Sequence, residues 1–189
     1  MANYKVLMCK PTYYDIKYSI NPWMNLKNKS DHSKAEKQWE ALRDAILSTG
    51  AEVEYVEPHP DVPDIVFTAN ASLIYNKKCI ISNFKFEERK KEEKLYEDKL
   101  SEYYEIVRLS KDLNFEGAGD ALFSEDLLIS AYGFRTSVDS LNKIDEILEL
   151  DSLKVNLIDP YFYHLDTCFC PLKKNEAIYF PKAFHRDSV

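Results

Sequence analysis

The chain has 189 residues, 45% of them hydrophobic and 30% charged, with a net charge of −7. That length and apolar content fit one domain with its own core, and the acidic balance speaks against nucleic acid, whose binding surfaces are basic. No apolar run reaches the roughly 18 residues of a membrane span and no basic-then-apolar leader opens the chain, so Cys9, Cys79, Cys168 and Cys170 are expected reduced, in a cytoplasm.

In chain order, "YKVLMCKP" (4–11) reads as a first strand. "DHSKAEKQWEALRDAILSTG" (31–50) reads as a helix. Asp31 or Ser33 starts it, Gly50 stops it, and Ala35, Trp39, Leu42 and Ile46 form its apolar stripe. "AEVEYVEP" (51–58) alternates like a strand, and the Pro-rich "PHPDVPD" (58–64) reads as a loop. Three similar stretches follow: "TANASLIYNKKCIISNF" (68–84), "AGDALFSEDLLISAYGF" (118–134) and "LDTCFCPLKKNEAIYF" (165–180). Each is a hairpin pattern, with two apolar runs about a polar turn. Helical stretches at 86–106 and 139–150 separate them, leading into the strands "VRLS" and "KVNLID".

Each hairpin opens on a small polar residue: Asn70, Asp120 and Asp166, at a period of about 50 residues. One hairpin and one helix per period predicts a radially repeated α/β architecture whose hairpin starts converge on an axis. In an extended strand His164, Asp166, Cys168 and Cys170 would share one face. With Asp64 and Glu116, the acceptor-rich set Asn70, Asp120, His164 and Asp166 calls for a cation at its centre. A hard divalent metal suits carboxylates, zinc suits His164 with Cys168 and Cys170, and a guanidinium offers a planar fork of five donors. Taken singly, each residue has a plainer reading. The Asx residues form turns, Arg89 is a solvated surface residue, and Trp23 and Met24 pack. His32, His59 and His185 have no assignment.

The stretches "YDIKYSINPWM" (14–24), "PDIVFTANAS" (63–72), "FEGAGDAL" (115–122), "GFRTS" (133–137) and "HLDTCF" (164–169) together resemble the guanidine-modifying enzymes of the pentein superfamily, and most closely their arginine dihydrolase and dimethylarginine dimethylaminohydrolase branches. The resemblance implies an α/β propeller of ββαβ units, of which this chain would hold about three of five, as a single C-terminally truncated domain spanning 1–189. It implies attack by a cysteine thiolate on the guanidinium carbon of arginine or methylated arginine, with no cofactor and no metal. His164 is then the general acid/base and Glu116, with Asp166, grips the guanidinium. Asn70, Asp120 and Asn21 contact the substrate, and Arg135 and Arg89 hold its carboxylate. An arginine common in the family is replaced here by Asn83.

The resemblance places the nucleophilic cysteine beyond the "HLDT" motif, in a unit this chain does not contain, and none of the four cysteines stands in its place. Two functions follow as expectations. One is a guanidine hydrolase, or an amidinotransferase-type transferase, complete only with a C-terminal segment. The other is an inactive remnant that binds a partner or a guanidino ligand. The exposed flanks of an open ring predict self-association or capture of the completing segment, with no nucleic acid or membrane as partner.

Overall fold

The computed structural model describes residues 4–173 and 176–188. The chain divides into two compact units, 1–68 and 69–189.

In the first unit strand β1 (Lys5–Met8) runs parallel to β2 (Glu52–Tyr55), with Lys5 opposite Glu52 and Met8 opposite Tyr55. Helix α1 (His32–Ser48) makes the crossover, as a parallel pair requires. Its N-cap is Asp31, whose carboxylate accepts the Lys34 N–H. Gly50 follows its C-terminus at a φ of +85°, a conformation that favours glycine. The predicted stripe is corrected at Leu42, which is 56% exposed, while Ala35, Trp39 and Ile46 are half-buried. The inward face is rotated toward Arg43, whose guanidinium lies over the Trp39 ring.

The second unit contains the ββαβ pattern twice. Strands β3 (Ser72–Tyr75) and β4 (Lys78–Ile81) form an antiparallel hairpin; helix α2 (Glu87–Leu100) then returns the chain to β5 (Glu105–Val107), parallel to β4. Strands β6 (Ala121–Ser124) and β7 (Leu127–Tyr132), helix α3 (Val138–Leu148) and β8 (Leu153–Asn156) repeat the arrangement. Both hairpins turn through a left-handed residue, Asn76 or Glu125. A third hairpin pairs β9 (Phe169–Lys173) with β10 (Glu176–Tyr179); its predicted turn, at Lys174 and Asn175, lies outside the described residues. The helix predicted over 86–106 ends at Leu100, and Glu105 and Ile106 belong to a strand. Tyr103 and Tyr104 turn the chain, their N–H groups donating to the Leu100 carbonyl, and the β-branched Ile106 and Val107 favour extended chain once pairing with β4 is available.

One core gathers Leu73 and Ile80, Ala121 and Leu128, and Leu141 and Ile144, so it joins the two ββαβ repeats. A second, around Ile129, Val155, Leu165 and Phe184, seats the third hairpin against the second repeat. Beside it lies an apolar cavity of about 660 Å³, lined among others by Leu127, Leu153, Phe169 and Tyr179. Among the described residues no helix is long and apolar enough to cross a membrane.

Candidate functional site

Each hairpin of the second unit is preceded by a single 3₁₀ turn: Thr68–Ala71, Gly117–Gly119 and Leu165–Thr167. Asn70 and Asp166 lie within these turns, and Asp120 caps the middle one. The expectation that His164, Asp166, Cys168 and Cys170 share a strand face is therefore corrected: the strand begins only at Phe169. The cause is tertiary. Asp120 Oδ1 accepts the Leu165 N–H at 3.2 Å and faces His164 Nδ1 at 3.0 Å. The backbone turns there, with the Cys168 N–H donating to the Leu165 carbonyl.

His164 is 4% exposed and held at both ring nitrogens. Nδ1 meets Asp120, and Nε2 lies 3.3 Å from Glu116 Oε2. Two carboxylate partners match an imidazolium, which donates from both nitrogens. Burial alone would push its pKa down, but Asp120 and then Glu116 raise it to about 9. Glu116 is fully buried, and burial would raise its pKa; His164, Arg135 and Arg89 hold it instead at about 2. Its Oε2 accepts Arg135 Nη1 at 2.9 Å, and its Oε1 accepts the Lys85 N–H at 3.3 Å. Thr136 ties the two carboxylate residues together. Its hydroxyl donates to Asp120 Oδ2 at 2.6 Å and accepts the Glu116 N–H at 3.1 Å.

Asn70 joins this group from the first repeat. Its Nδ2 donates to the Glu116 carbonyl at 3.3 Å and lies 3.4 Å from His164 Nε2. Its Oδ1 accepts Arg89 Nη1 at 3.1 Å. Arg89, 3% exposed, is not a solvated surface residue: it forks onto Glu92 at 2.9 and 2.7 Å and stacks over Phe84. Arg135 is sandwiched between Phe86 and Tyr163, 4.7 Å from each ring. Asp166 is exposed, yet crowding by surrounding protein raises its carboxyl to about 6, with His164 opposing and Asp120 adding to the rise. Asn83 gives its amide to the carbonyls of Ser110, Lys111 and Leu113, which fixes the loop ahead of Phe115. In the first unit Asn21 caps a turn, accepting the Trp23 and Met24 N–H groups, and Asp64 is buried in the 3₁₀ turn Pro63–Val66. So Asn70, Glu116, Asp120, His164 and the two arginines form one connected network, with Asp166 coupled to it electrostatically.

The two glycines of "EGAGD" make this approach possible. Gly117 has a φ of +62°, and a Cβ there would lie 2.8 Å from the Asn70 backbone. A Cβ on Gly119 would stand 2.2 Å from Asn70 Nδ2 and 3.4 Å from His164 Nδ1. Gly119→Ala is therefore expected to push the Asn70 amide out of the network and to destabilise the chain by about 1–3 kcal/mol, the usual cost of overpacking. Thermal melts check the stability, and the histidine NMR signals of His164 check the displacement.

The cysteines do not resemble a nucleophile. Cys168 is buried, its Sγ facing the His164 and Leu165 carbonyls at 3.7 and 3.6 Å, and burial pushes its thiol up to about 11. Cys79 is buried with its thiol also raised, and Cys9 is buried in the first unit. Cys170 is exposed, because β9 shows that side of the strand to solvent. Among the described residues no group of His, Cys, Asp and Glu is placed to hold a metal.

Sequence reasoning passed over Thr136 and Glu92. The signal for Glu92 was present: Arg89, Glu92, Tyr96 and Leu100 recur at helical spacing and are the buried face of α2. The flanking run of surface charges concealed it.

Residues 15–188 match the family profile described as N,N dimethylarginine dimethylhydrolase, eukaryotic. The bifunctional arginine dihydrolase/ornithine cyclodeaminase AgrE of Nostoc sp. is 43% identical over 184 residues, 95% of this chain and 26% of that protein. The N(G),N(G)-dimethylarginine dimethylaminohydrolase of Mycobacterium tuberculosis is 34% identical, over 94% of this chain and 58% of its own length. The product-bound N-terminal domain of ArgZ, an arginine dihydrolase from the ornithine–ammonia cycle in cyanobacteria, superposes with a TM-score of 0.94 at 40% identity, over 99% of this chain and 70% of that one. The chain thus spans about a quarter of the length of the first of these relatives.

Proposed function

The chain belongs to the N,N dimethylarginine dimethylhydrolase family, and from that premise we propose that it supplies the acid/base and guanidinium-gripping half of a site that hydrolyses arginine or a methylated arginine. The observation that carries this reading is His164, buried between Glu116 and Asp120 with a carboxylate at each ring nitrogen.

Such a site has the groups the chemistry needs. A guanidinium carbon is a poor electrophile because its charge is delocalised, so acceptors must fix the planar fork before attack. Glu116 is ionised and Asp166 sits at the edge of the same network; a bound guanidinium would draw the Asp166 carboxyl into its charged form. Arg135 takes the substrate carboxylate in this reading. A thiolate adds to the guanidinium carbon, and the carbon–nitrogen bond breaks as the leaving nitrogen takes a proton from the His164 imidazolium. Neutral His164 then accepts a proton from the water that attacks the thiouronium, and the carbon–sulfur bond breaks.

The thiolate comes from another stretch of polypeptide. Cys168, with a thiol at about 11 and its sulfur on backbone carbonyls, is neither ionised nor aimed across His164. We place the two ββαβ repeats and the third hairpin in a five-unit propeller, completed by polypeptide covering the apolar cavity, where Leu127, Leu153 and Tyr179 are exposed. Ammonia release from L-arginine, or methylamine or dimethylamine release from methylated arginines, is expected only when the chain is combined with a segment bearing that cysteine. It should fall by at least ~100-fold in His164→Ala, the lower range of general acid/base contributions. Turnover by the chain alone would overturn this division of labour and return attention to Cys168.

A further inference from the structure

We infer that Glu92 is a positioning residue: through Arg89 it fixes the Asn70 carboxamide with its N–H₂ group turned toward Glu116 and His164. The inference rests on His164 and Glu116 being the reacting groups only for its functional meaning; its geometry stands without them.

A guanidinium has no acceptor. The Asn70 atom 3.1 Å from Arg89 Nη1 must therefore be the oxygen. That choice sends Nδ2 to the Glu116 carbonyl, an acceptor, at 3.3 Å. The opposite orientation would set two donors against each other at Arg89 and two acceptors against each other at Glu116. Asn70 has a single orientation for as long as Arg89 is held in place, and Glu92 holds it. Both Glu92 oxygens accept from the guanidinium, from Nε at 2.9 Å and Nη2 at 2.7 Å, and Glu92 is fully buried. Fork-to-fork pairs of this kind fix direction as well as charge. The Phe84 ring under the guanidinium, 4.3 Å from its central carbon, restricts movement out of the plane.

The consequence reaches His164. With its oxygen committed to Arg89, Asn70 presents donors, not an acceptor, 3.4 Å from His164 Nε2. It therefore does not offer the oxygen that a guanidinium would seek at that point. When the ring is charged, Nε2 is itself a donor and pairs with Glu116; when the ring loses that proton, Asn70 stands ready to donate to it. Asn70 thus supports the neutral ring, and Glu116 and Asp120 support the charged one. Glu92, on the buried face of α2, sets the first of these without touching the ring.

The test is NMR of the ¹⁵N-labelled chain, read at the Asn70 side-chain amide, whose signals are assigned by their loss in Asn70→Asp. One pair of slowly exchanging signals is expected for the unaltered chain. In Glu92→Gln the pair should double, broaden or exchange at least about ten-fold faster, as expected when charge-assisted bonds are lost. Glu92→Asp keeps the charge, shortens the reach and provides a second folded variant; an intermediate loss is expected. A folded variant whose melting temperature falls while the Asn70 pair keeps its shift and its protection would overturn the inference, since a merely structural Glu92 gives that result. No substrate or turnover enters this measurement, so its failure is separate from any failure of His164→Ala to abolish hydrolysis.

Discussion

Glu116→Ala is expected to destabilise the chain by about 3–5 kcal/mol, the cost of removing one partner from a buried ion pair. That is a large share of the roughly 5–15 kcal/mol available to an ordinary domain. The Glu116 carboxylate lies against Arg135 Nη1 and His164 Nε2, and against the Lys85 N–H. Without it the Arg135 guanidinium, 4% exposed, has lost a carboxylate partner, and the His164 ring is left with one of its two. Glu116→Gln keeps the shape but faces both cations with at most one acceptor, so it should cost less than alanine and still exceed about 1 kcal/mol. Glu146→Ala removes an exposed partner of Lys143 and should change stability by less than about 0.5 kcal/mol, as surface pairs do. Urea unfolding of the three variants measures the contrast. If Glu116→Ala cost no more than Glu146→Ala, the buried network would not hold the hairpin turns together as described.

The ordering of these effects also explains what could and could not be read from the sequence. The start and stop of α1 were legible because Asp31 and Gly50 act within one turn of the helix. The hairpins were legible because their apolar runs flank short polar turns, and the period exposed Asn70, Asp120 and Asp166 as equivalent positions. The 3₁₀ turn after His164 was not, because it is set by Asp120, far back in the chain, accepting the Leu165 N–H. The end of α2 failed for a similar reason: pairing of Glu105–Val107 with β4 overrides local helix preference. Arg89 and Glu92 were obscured by composition. A run of charges reads as a solvated face unless the spacing of Tyr96 and Leu100 is followed back to them. The motif residues thus announced which groups meet, while their protonation, orientation and mutual support came only from the folded contacts.

The strongest pH response should come from His164. Its pKa, about 9 in the folded chain, stands above the ordinary 6.5 because Asp120 and Glu116 outweigh burial. A group raised in this way stabilises the fold fully below its unfolded pKa, and the contribution disappears as pH rises through the folded value. The difference corresponds to roughly 3 kcal/mol, lost between pH 6.5 and about 9. Glu116 acts at the other end. Its pKa of about 2, below the ordinary 4.5, gives stability that is present above 4.5 and lost as pH falls toward 2. Asp166, raised to about 6 from 3.8, works in the opposite sense. It favours the fold only while protonated, so stability declines as pH rises between those values. Asp120→Asn separates His164 from the other alkaline titrations. It removes the carboxylate that raises His164 most while leaving Glu116 in place, so the alkaline loss should shrink and move to lower pH. Urea midpoints taken from pH 5 to 10 for the unaltered chain and Asp120→Asn measure this directly. Parallel curves would mean that His164 does not carry its charge between the two carboxylates.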